Sequence, residues 1–208
     1  MTSDPISFDL YHPRPLLVVI SGPSGVGKDS VLMALKKRQT ALHFVVTATT
    51  RPPRPDERDG IDYFFVSLEE FERMIAEDEL LEYAVVYNQY KGIPKAQIRA
   101  AFESGKDVIL RVDVQGAARL RTLYPEAVLI FLIPTSQQEW LERLKNRNTE
   151  TPENLFLRLQ TARHELDCLP MFDYIVLNAH DQLEQAVDTI IAIINAEHHR
   201  VCHRQIQV

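Results

Sequence analysis

The 208-residue chain has no surplus of positive charge: 23 lysines and arginines stand against 29 aspartates and glutamates, a net charge of -6. With a pI of about 5.7, this argues against a general nucleic-acid coat or a membrane-surface binder, which are usually basic. It leaves room only for local basic clusters that hold anions. Cysteine is nearly absent. Cys168 and Cys202 sit in neither metal-ligand nor redox spacing, which points to two unpaired thiols and a reducing, cytoplasmic compartment. Long apolar runs are missing as well: Leu16–Ile20 and Val128–Ile133 are far too short to span a bilayer. Residues 1–14 contain Asp4 and Asp9 but no apolar signal core, and read as a loose extension. No internal repeat or low-complexity tract stands out. The remainder, 45% hydrophobic and 25% charged, is the make-up of one globular domain with a sizeable core.

Strand and helix signals alternate along that core. Leu16–Ser21 is a continuous apolar run, as in a buried parallel strand, and ends in a Gly-Pro-Ser-Gly turn. Asp29–Arg38 has helical spacing at Val31, Leu32 and Leu35. Strands are predicted at His43–Thr49, Asp62–Ser67 and Glu82–Tyr87. Helices are predicted at Leu68–Asp78, capped by Ser67 with Glu70 as its capping-box partner, and at Pro94–Ser104, ended by Gly105. Asp107–Asp113, Ala127–Ile133 and Tyr174–Leu177 read as further strands. They are separated by helices at Gln115–Leu123, Gln137–Lys145 and Pro152–Leu169, and followed by one at Gln182–Ala196. The expected fold is α/β, a mostly parallel sheet covered on both faces, interrupted by an inserted lobe over residues 48–104.

Between the first strand and first helix, Gly22-Pro23-Ser24-Gly25-Val26-Gly27-Lys28 fits the first seven positions of G-x-x-x-x-G-K-[ST]. Glycines let main-chain N–H groups turn inward onto phosphate oxygens, and the helix adds the positive end of its dipole. Lys28 then reaches the outer phosphates of a nucleoside triphosphate. The eighth position holds Asp29 instead of a hydroxyl, followed by Ser30. Two readings of Asp29 stay open: a hard oxygen ligand for Mg²⁺, or an exposed first-turn acid that suits the helix dipole.

The lobe speaks for the acceptor. In Thr49-Thr-Arg51-Pro-Pro-Arg54, two arginines flank two prolines, a stiff presentation for a phosphate dianion. Tyr63 adds a phenol able to donate to the same phosphate. Glu82 offers a carboxylate that matches the adjacent N1–H and 2-amino donors of guanine, a pair that adenine lacks.

Together with Gly60-Ile-Asp-Tyr-Phe-Phe-Val66, Asp113-Val-Gln-Gly116 and Arg147-Asn-Thr-Glu150, these strings resemble the guanylate kinases, which make GDP from GMP and ATP. The resemblance runs from Leu16 to Ala196 and looks closest to the plant-organelle and cyanobacterial branch. It implies a P-loop NTPase-type three-layer sandwich and a Mg²⁺-dependent transfer of the ATP γ-phosphoryl group to GMP or dGMP, in purine nucleotide metabolism. It implies core segments at 15–47, 105–140 and 161–196, a GMP-binding lobe at 48–104, a lid at 141–160 and a tail at 197–208.

By the same resemblance Arg51, Arg54 and Tyr63 bind the GMP phosphate, Glu82 and Asp113 hold the guanine, and Thr47 lies near the base. The loop residues Gly22 to Ser30, with Asn178 near the adenine, bind ATP. Lys28, Arg51 and the lid arginines Arg143, Arg147 and Arg158 serve the transfer. Asp29 and Ser30 are the metal candidates. No nucleic-acid or membrane partner is expected, and the chain is a monomer or homodimer.

Departures from the family pattern are Lys91 in place of a phosphate-binding phenol, Ile93 in place of a base-contacting hydroxyl, and Arg111 in place of an acid two residues before Asp113. Asp29 is read as restoring the carboxylate lost at 111.

Plainer readings accompany these. Arg143 and Arg147 have the i,i+4 spacing of a solvated helix face. Trp140 is a packing anchor. The histidines of the tail belong to a frayed polar end. The rival functions are a peptide-binding module of the same fold, which typically lacks the loop lysine and lid arginines, and a kinase for a sugar phosphate.

Overall fold

The apolar run after Pro15 forms β1 (Leu17–Ser21), and all five of its residues are buried. The computed structural model describes residues 11–38, 41–55, 57–86, 89–145 and 152–206. After β1 come α1 (Lys28–Arg38), β2 (Leu42–Phe44), β3 (Ala48–Thr49), β4 (Phe64–Phe65), α2 (Leu68–Ala76), β5 (Leu80–Val86), β6 (Gln89–Pro94) and α3 (Lys95–Glu103). Then follow β7 (Asp107–Arg111), α4 (Val114–Leu123), β8 (Val128–Ile133), α5 (Gln137–Lys145), α6 (Pro152–Asp167), a 3-10 turn at Leu169–Met171, β9 (Tyr174–Leu177) and α7 (Leu183–His198).

Five strands form one sheet in the order β2-β7-β1-β8-β9, with every pairing parallel. A strand inside such a sheet is covered on both faces, which is why β1 and β8 read as unbroken apolar runs. Alternation still sorts their side chains. Val18 and Ile20 join Val31, Leu35, Val187 and Ile190 on one face, whereas Leu17 and Val19 join Ile98, Ala101, Ala117 and Leu120 on the other. Helices α1 and α7 thus cover one side and α3 and α4 the other. The second sheet, β4-β3-β6-β5, lies within the predicted lobe and has its own cluster of Ala48, Phe71, Met74 and Leu80.

Three local expectations are corrected. The strand predicted over residues 43–49 splits between the sheets: Phe44 pairs with Ile109 in the first, Ala48 with Phe64 in the second. One extended segment serves two sheets, which a pattern along the chain does not reveal. The strand predicted from Asp62 shrinks to Phe64–Phe65, because Asp62 is tied into a turn by bonds to the Arg58 backbone in both directions. β6 was not foreseen. The sequence pattern assigns no element to residues 89–93 and expects Pro94 to open a helix, yet Gly92 is needed in the strand, since a Cβ there would stand 2.9 Å from the Phe71 ring. In addition, Ser67 caps α2 as expected, its Oγ accepting from Glu70 N at 3.0 Å, but the Glu70 carboxylate takes Arg73 instead of completing the box.

The tail turns back onto the core rather than fraying. Arg204 donates to both oxygens of Glu197, at 2.7 and 3.0 Å, and Tyr174 donates to the same carboxylate at 2.6 Å. Glu197 is 2% exposed. Burial acts to raise its pKa, but the bonds from Arg204 and Tyr174 prevail and hold it at about 2. Arg204→Ala strands this carboxylate and is expected to cost about 3 kcal/mol in urea unfolding. A carboxyl held below its ordinary value stabilises the fold above that value, so this contribution should fade as pH falls from about 4.5 towards about 2. An Arg204→Ala protein as stable as the parent at neutral pH contradicts the assignment.

Candidate functional site

β1 is the central strand, with β7 on one side and β8 on the other, so the crossovers diverge at its carboxyl end. Such switch points leave a crevice beyond the strand ends. Here it is a cleft of about 490 Å³, walled by the loop after β1, the end of β7, the proline-rich segment of the lobe and α6.

The loop after β1 depends on what glycine permits. At Gly27, φ is +95° and an added Cβ would lie 2.6 Å from the Asn178 amide nitrogen. Asn178, buried just beyond β9, donates from Nδ2 to Val26 O at 2.7 Å. Arg143 of α5 donates to Val26 O at 3.0 Å and to Asn178 O at 2.8 Å, and it pairs with Glu139. Trp140, one turn earlier, donates its indole N–H to Ser24 O at 2.7 Å. It is the packing anchor expected and also a brace. Neighbouring elements therefore fix the loop through its carbonyls, and of its N–H groups Val26 N is turned onto Pro23 O at 3.2 Å; a loop of this make cradles an anion with main-chain N–H groups.

Lys28 begins α1 and donates to the carbonyls of Gly22 and Pro23, the latter at 3.1 Å. Burial pulls its ammonium down to about pH 8, and the Glu165 carboxylate is the foremost of the charges opposing that fall. Glu165 lies on α6, 6% exposed, on the same cleft wall. Sequence reasoning missed it. Its only signal was a place three residues after Ala162, on the inward stripe of a helix rich in other charges.

Facing the loop across the cleft are Arg51, Arg54, Tyr63 and Lys91. The Arg51 guanidinium lies 4.7 Å and that of Arg111 4.2 Å from the centre of the Tyr63 ring. Burial raises the Tyr63 pKa against the pull of Arg111, so the phenol keeps its proton to donate. Burial lowers the Lys91 pKa, and Asp113 opposes it. Glu57, also missed, binds Arg51 through both oxygens, at 2.5 and 2.6 Å.

Asp29 and Arg111 form an ion pair, and Arg54 reaches the other Asp29 oxygen at 3.5 Å. The two departures at 29 and 111 thus contact each other, and Asp29 reaches from the start of α1 to Arg54 of the lobe. Ser30 is exposed and stands apart from the cleft lining.

Asp113 caps α4, accepting from Gln115 N and Gly116 N at 3.0 Å each through one oxygen. Glu82 lies behind it, where a Cβ at Gly116 would sit 3.1 Å from Glu82 Oε1. Burial first and Asp113 second raise the Glu82 pKa to about 7. Thr47 is buried just before β3, where its carbonyl accepts from Phe64 N at 2.9 Å, and it stands apart from the cleft lining. Ile93 is 1% exposed and packs with Val108 and Leu110, so its position has become core. Arg147 lies outside the described residues, as does the side chain of Arg158. His198 lies 2.8 Å from Asp107 rather than in a frayed end. Among the described residues no helix is long and apolar enough to cross a membrane.

A family model described as guanylate kinase matches residues 14–197. The chain is similar to guanylate kinase 2, chloroplastic/mitochondrial, of Oryza sativa subsp. japonica, at 50% identity over 94% of this chain and 69% of that one. It is similar to the guanylate kinase of Halalkalibacterium halodurans, at 47% identity over 92% of each. Among solved structures it resembles the guanylate kinase of Anaplasma phagocytophilum, with a TM-score of 0.76 at 28% identity, covering 92% of this chain and 90% of that one.

An anion in the loop raises the Lys28 pKa, so binding should weaken above the value of the empty site, about 8. Calorimetry with inorganic tripolyphosphate is expected to show affinity falling by up to about tenfold per pH unit above that point, relative to Lys28→Ala. Parallel profiles for the two proteins place the ammonium away from the anion.

Proposed function

The chain belongs to the guanylate kinase family, and we propose that its cleft transfers the terminal phosphoryl group of ATP to GMP, giving ADP and GDP. The observation that carries this reading is that two anion cradles of different make share one cleft. One is the phosphate loop with Lys28, and the other is the Arg51–Arg54 pair with Tyr63. A cleft that held only a triphosphate would not need the second.

The acceptor is a phosphate monoester, largely dianionic at neutral pH, so no side chain has to remove a proton to make it nucleophilic. One of its oxygens bonds to the γ-phosphorus as the bond to the β–γ bridging oxygen breaks, and the electron pair leaves on ADP. The obstacle is repulsion between two polyanions, and catalysis is positioning and neutralisation. Lys28 and the loop N–H groups hold the donor. Arg51, Arg54 and Tyr63 hold the acceptor phosphate, with Lys91 adding a point charge. Glu82 and Asp113 hold the guanine edge. Arg143 is already tied to the loop through Val26 and Asn178. With Arg147 and Arg158 it is assigned to the charge on the transferred group. Removing a donor aimed at that charge typically costs about 3 to 4 kcal/mol in the transition state.

Magnesium fits the residues present. Among the described residues no three acidic, histidine or cysteine side chains gather to hold a metal unaided. Mg²⁺ retains several waters and is commonly held by substrate phosphates with one or two carboxylates, so a single protein carboxylate would suffice. Asp29 lines the cleft next to Lys28 and offers a hard oxygen of the right kind, partly engaged by Arg111 and Arg54. When bound, the ion neutralises charge on the outer phosphate oxygens. Asp29→Asn is expected to narrow the difference in affinity between ATP with and without Mg²⁺ in calorimetry, and an unchanged difference removes Asp29 from the metal site.

The function is tested by supplying ATP with GMP, dGMP, AMP, UMP or ribose 5-phosphate and following ADP. Guanine nucleotides are expected to be phosphorylated, and no ADP with GMP under ample magnesium overturns the reading. Guanine donors require the ionised Glu82 carboxylate, whose pKa is about 7 in the empty site. The KM for GMP should therefore rise as pH falls below that value, by up to about tenfold per unit. The GMP phosphate titrates alike in both proteins, so the contrast with Glu82→Gln isolates Glu82. Coincident pH profiles for the two proteins remove Glu82 from the base site.

A further inference from the structure

We propose that Glu57 is a positioning residue of the acceptor site, gripping Arg51 from behind so that one edge of its guanidinium is aimed at the incoming phosphate. The inference rests on the assignment of Arg51 and Arg54 to the GMP phosphate.

The geometry is specific. Glu57 Oε2 accepts from Arg51 Nη1 at 2.6 Å, and Oε1 accepts from Nη2 at 2.5 Å, a parallel two-bond fork. Oε2 also accepts from the main-chain N–H of Arg54 at 2.9 Å, so one carboxylate holds both arginines of the motif. Glu57 is largely buried, its side chain 14% exposed. Burial acts to raise its pKa, but the Arg51 bonds prevail and keep it below the ordinary value, so it is ionised throughout the physiological range.

The side of approach separates holding from competing. Arg51, Pro52, Pro53, Arg54 and Pro55 line the main cleft, but Glu57 does not. It lines a smaller cavity of about 150 Å³, together with Asp29, Lys36, Arg54 and Tyr63.

A guanidinium has five N–H groups. Nη1 spends its two on Glu57 and on Pro52 O, the latter at 2.9 Å, and Nη2 spends one on Glu57. The Nε–H and the second Nη2–H remain. They lie side by side on the other edge of the plane, available to the Tyr63 phenol and to a phosphate. Without Glu57, Arg51 is a flexible cation that must be ordered each time GMP binds, and the loop at Arg54 loses its tie.

Steady-state kinetics with both substrates tests this. Glu57→Ala is expected to raise the KM for GMP on the order of tenfold, while the KM for ATP moves by less than about twofold. Glu57→Gln keeps the shape and one acceptor oxygen, and should fall between that variant and the parent with an unchanged melting temperature. In the Arg51→Ala background, adding Glu57→Ala should raise the KM for GMP by a smaller factor than in the parent, since only the tie to Arg54 is left to lose. A folded Glu57→Gln or Glu57→Ala protein with the parental KM for GMP overturns the proposal. A lowered KM also overturns it, because the carboxylate would then be occupying the phosphate's place. If Arg51→Ala itself leaves the KM for GMP unchanged, the acceptor assignment falls and this inference with it. If only the Glu57 variants are without effect, the acceptor assignment stands.

Discussion

Five cations share the wall of one cleft: Lys28, Arg51, Arg54, Lys91 and Arg111. Holding like charges together in a partly buried space is costly unless each is answered, and the rest of the site follows from how that is done. Arg51 is answered by Glu57, and Arg111 and Arg54 by the two oxygens of Asp29. Lys91 is supported by Asp113, and Lys28 by Glu165 together with two loop carbonyls. Each carboxylate is arranged to keep a cation charged and in place. Burial still draws the ammonium of Lys28 down to about pH 8, so the empty cleft is poised to take up anions. Two phosphorylated substrates supply the missing negative charge, and each helps to pay for the site's assembly only when it arrives.

The fold brings these groups together by topology rather than by sequence proximity. Lys28 follows β1, Arg111 ends β7, Asn178 follows β9, and all emerge at the carboxyl ends of parallel strands. The lobe's second sheet presents Arg51 and Lys91 from the opposite side. Neighbouring residues of β3 and β6 are paired there, with Thr49 beside Lys91. Thr49 is fully buried, and its hydroxyl donates to Tyr90 O and accepts from Arg51 N, so the backbone that carries Arg51 is pinned to β6. Trp140, Leu144 and Ala162 join α5 to α6, and Trp140 also reaches the phosphate loop. A shift of these helices is therefore felt directly at the phosphate loop.

What the sequence disclosed was the chemistry that is local along the chain. The phosphate loop needs glycines at fixed intervals between a strand and a helix, so Gly22 to Lys28 was legible. The Arg51–Arg54 motif was legible because prolines stiffen it within six residues. What escaped was chemistry created by burial. Glu57 sits in the run Asp56-Glu57-Arg58-Asp59, which reads as a solvated turn, and Glu165 is one acid among several on its helix. Only the tertiary structure turns one acid in each group into a buried partner. The same reason hid β6. Gly92 leaves the space that Phe71 occupies, a fit that only the assembled lobe reveals. The unforeseen split of residues 43–49 between two sheets is likewise a property of assembly, since both halves have ordinary strand character.

Asp29 and Arg111 show why departures from a pattern are best read in pairs. Taken singly, an acid beside the loop lysine adds negative charge where a triphosphate must bind, and an arginine at the end of β7 adds a cation to a crowded wall. Taken together they pair into a neutral couple, and since Arg111 replaces an acid and Asp29 only a hydroxyl, the cleft gains one positive charge overall. The pair does more than cancel. Arg111 covers the face of Tyr63 and donates to Asp62 O at 3.2 Å, which anchors the lobe turn that carries the phenol. Asp29, through Arg54, extends the same chain of contacts to the second acceptor arginine. The first turn of α1, which begins with the lysine assigned to the donor, is thereby joined to the residues assigned to the acceptor. In a reaction limited by bringing two polyanions into line, a contact that fixes the separation of their cradles acts on the coordinate that matters most.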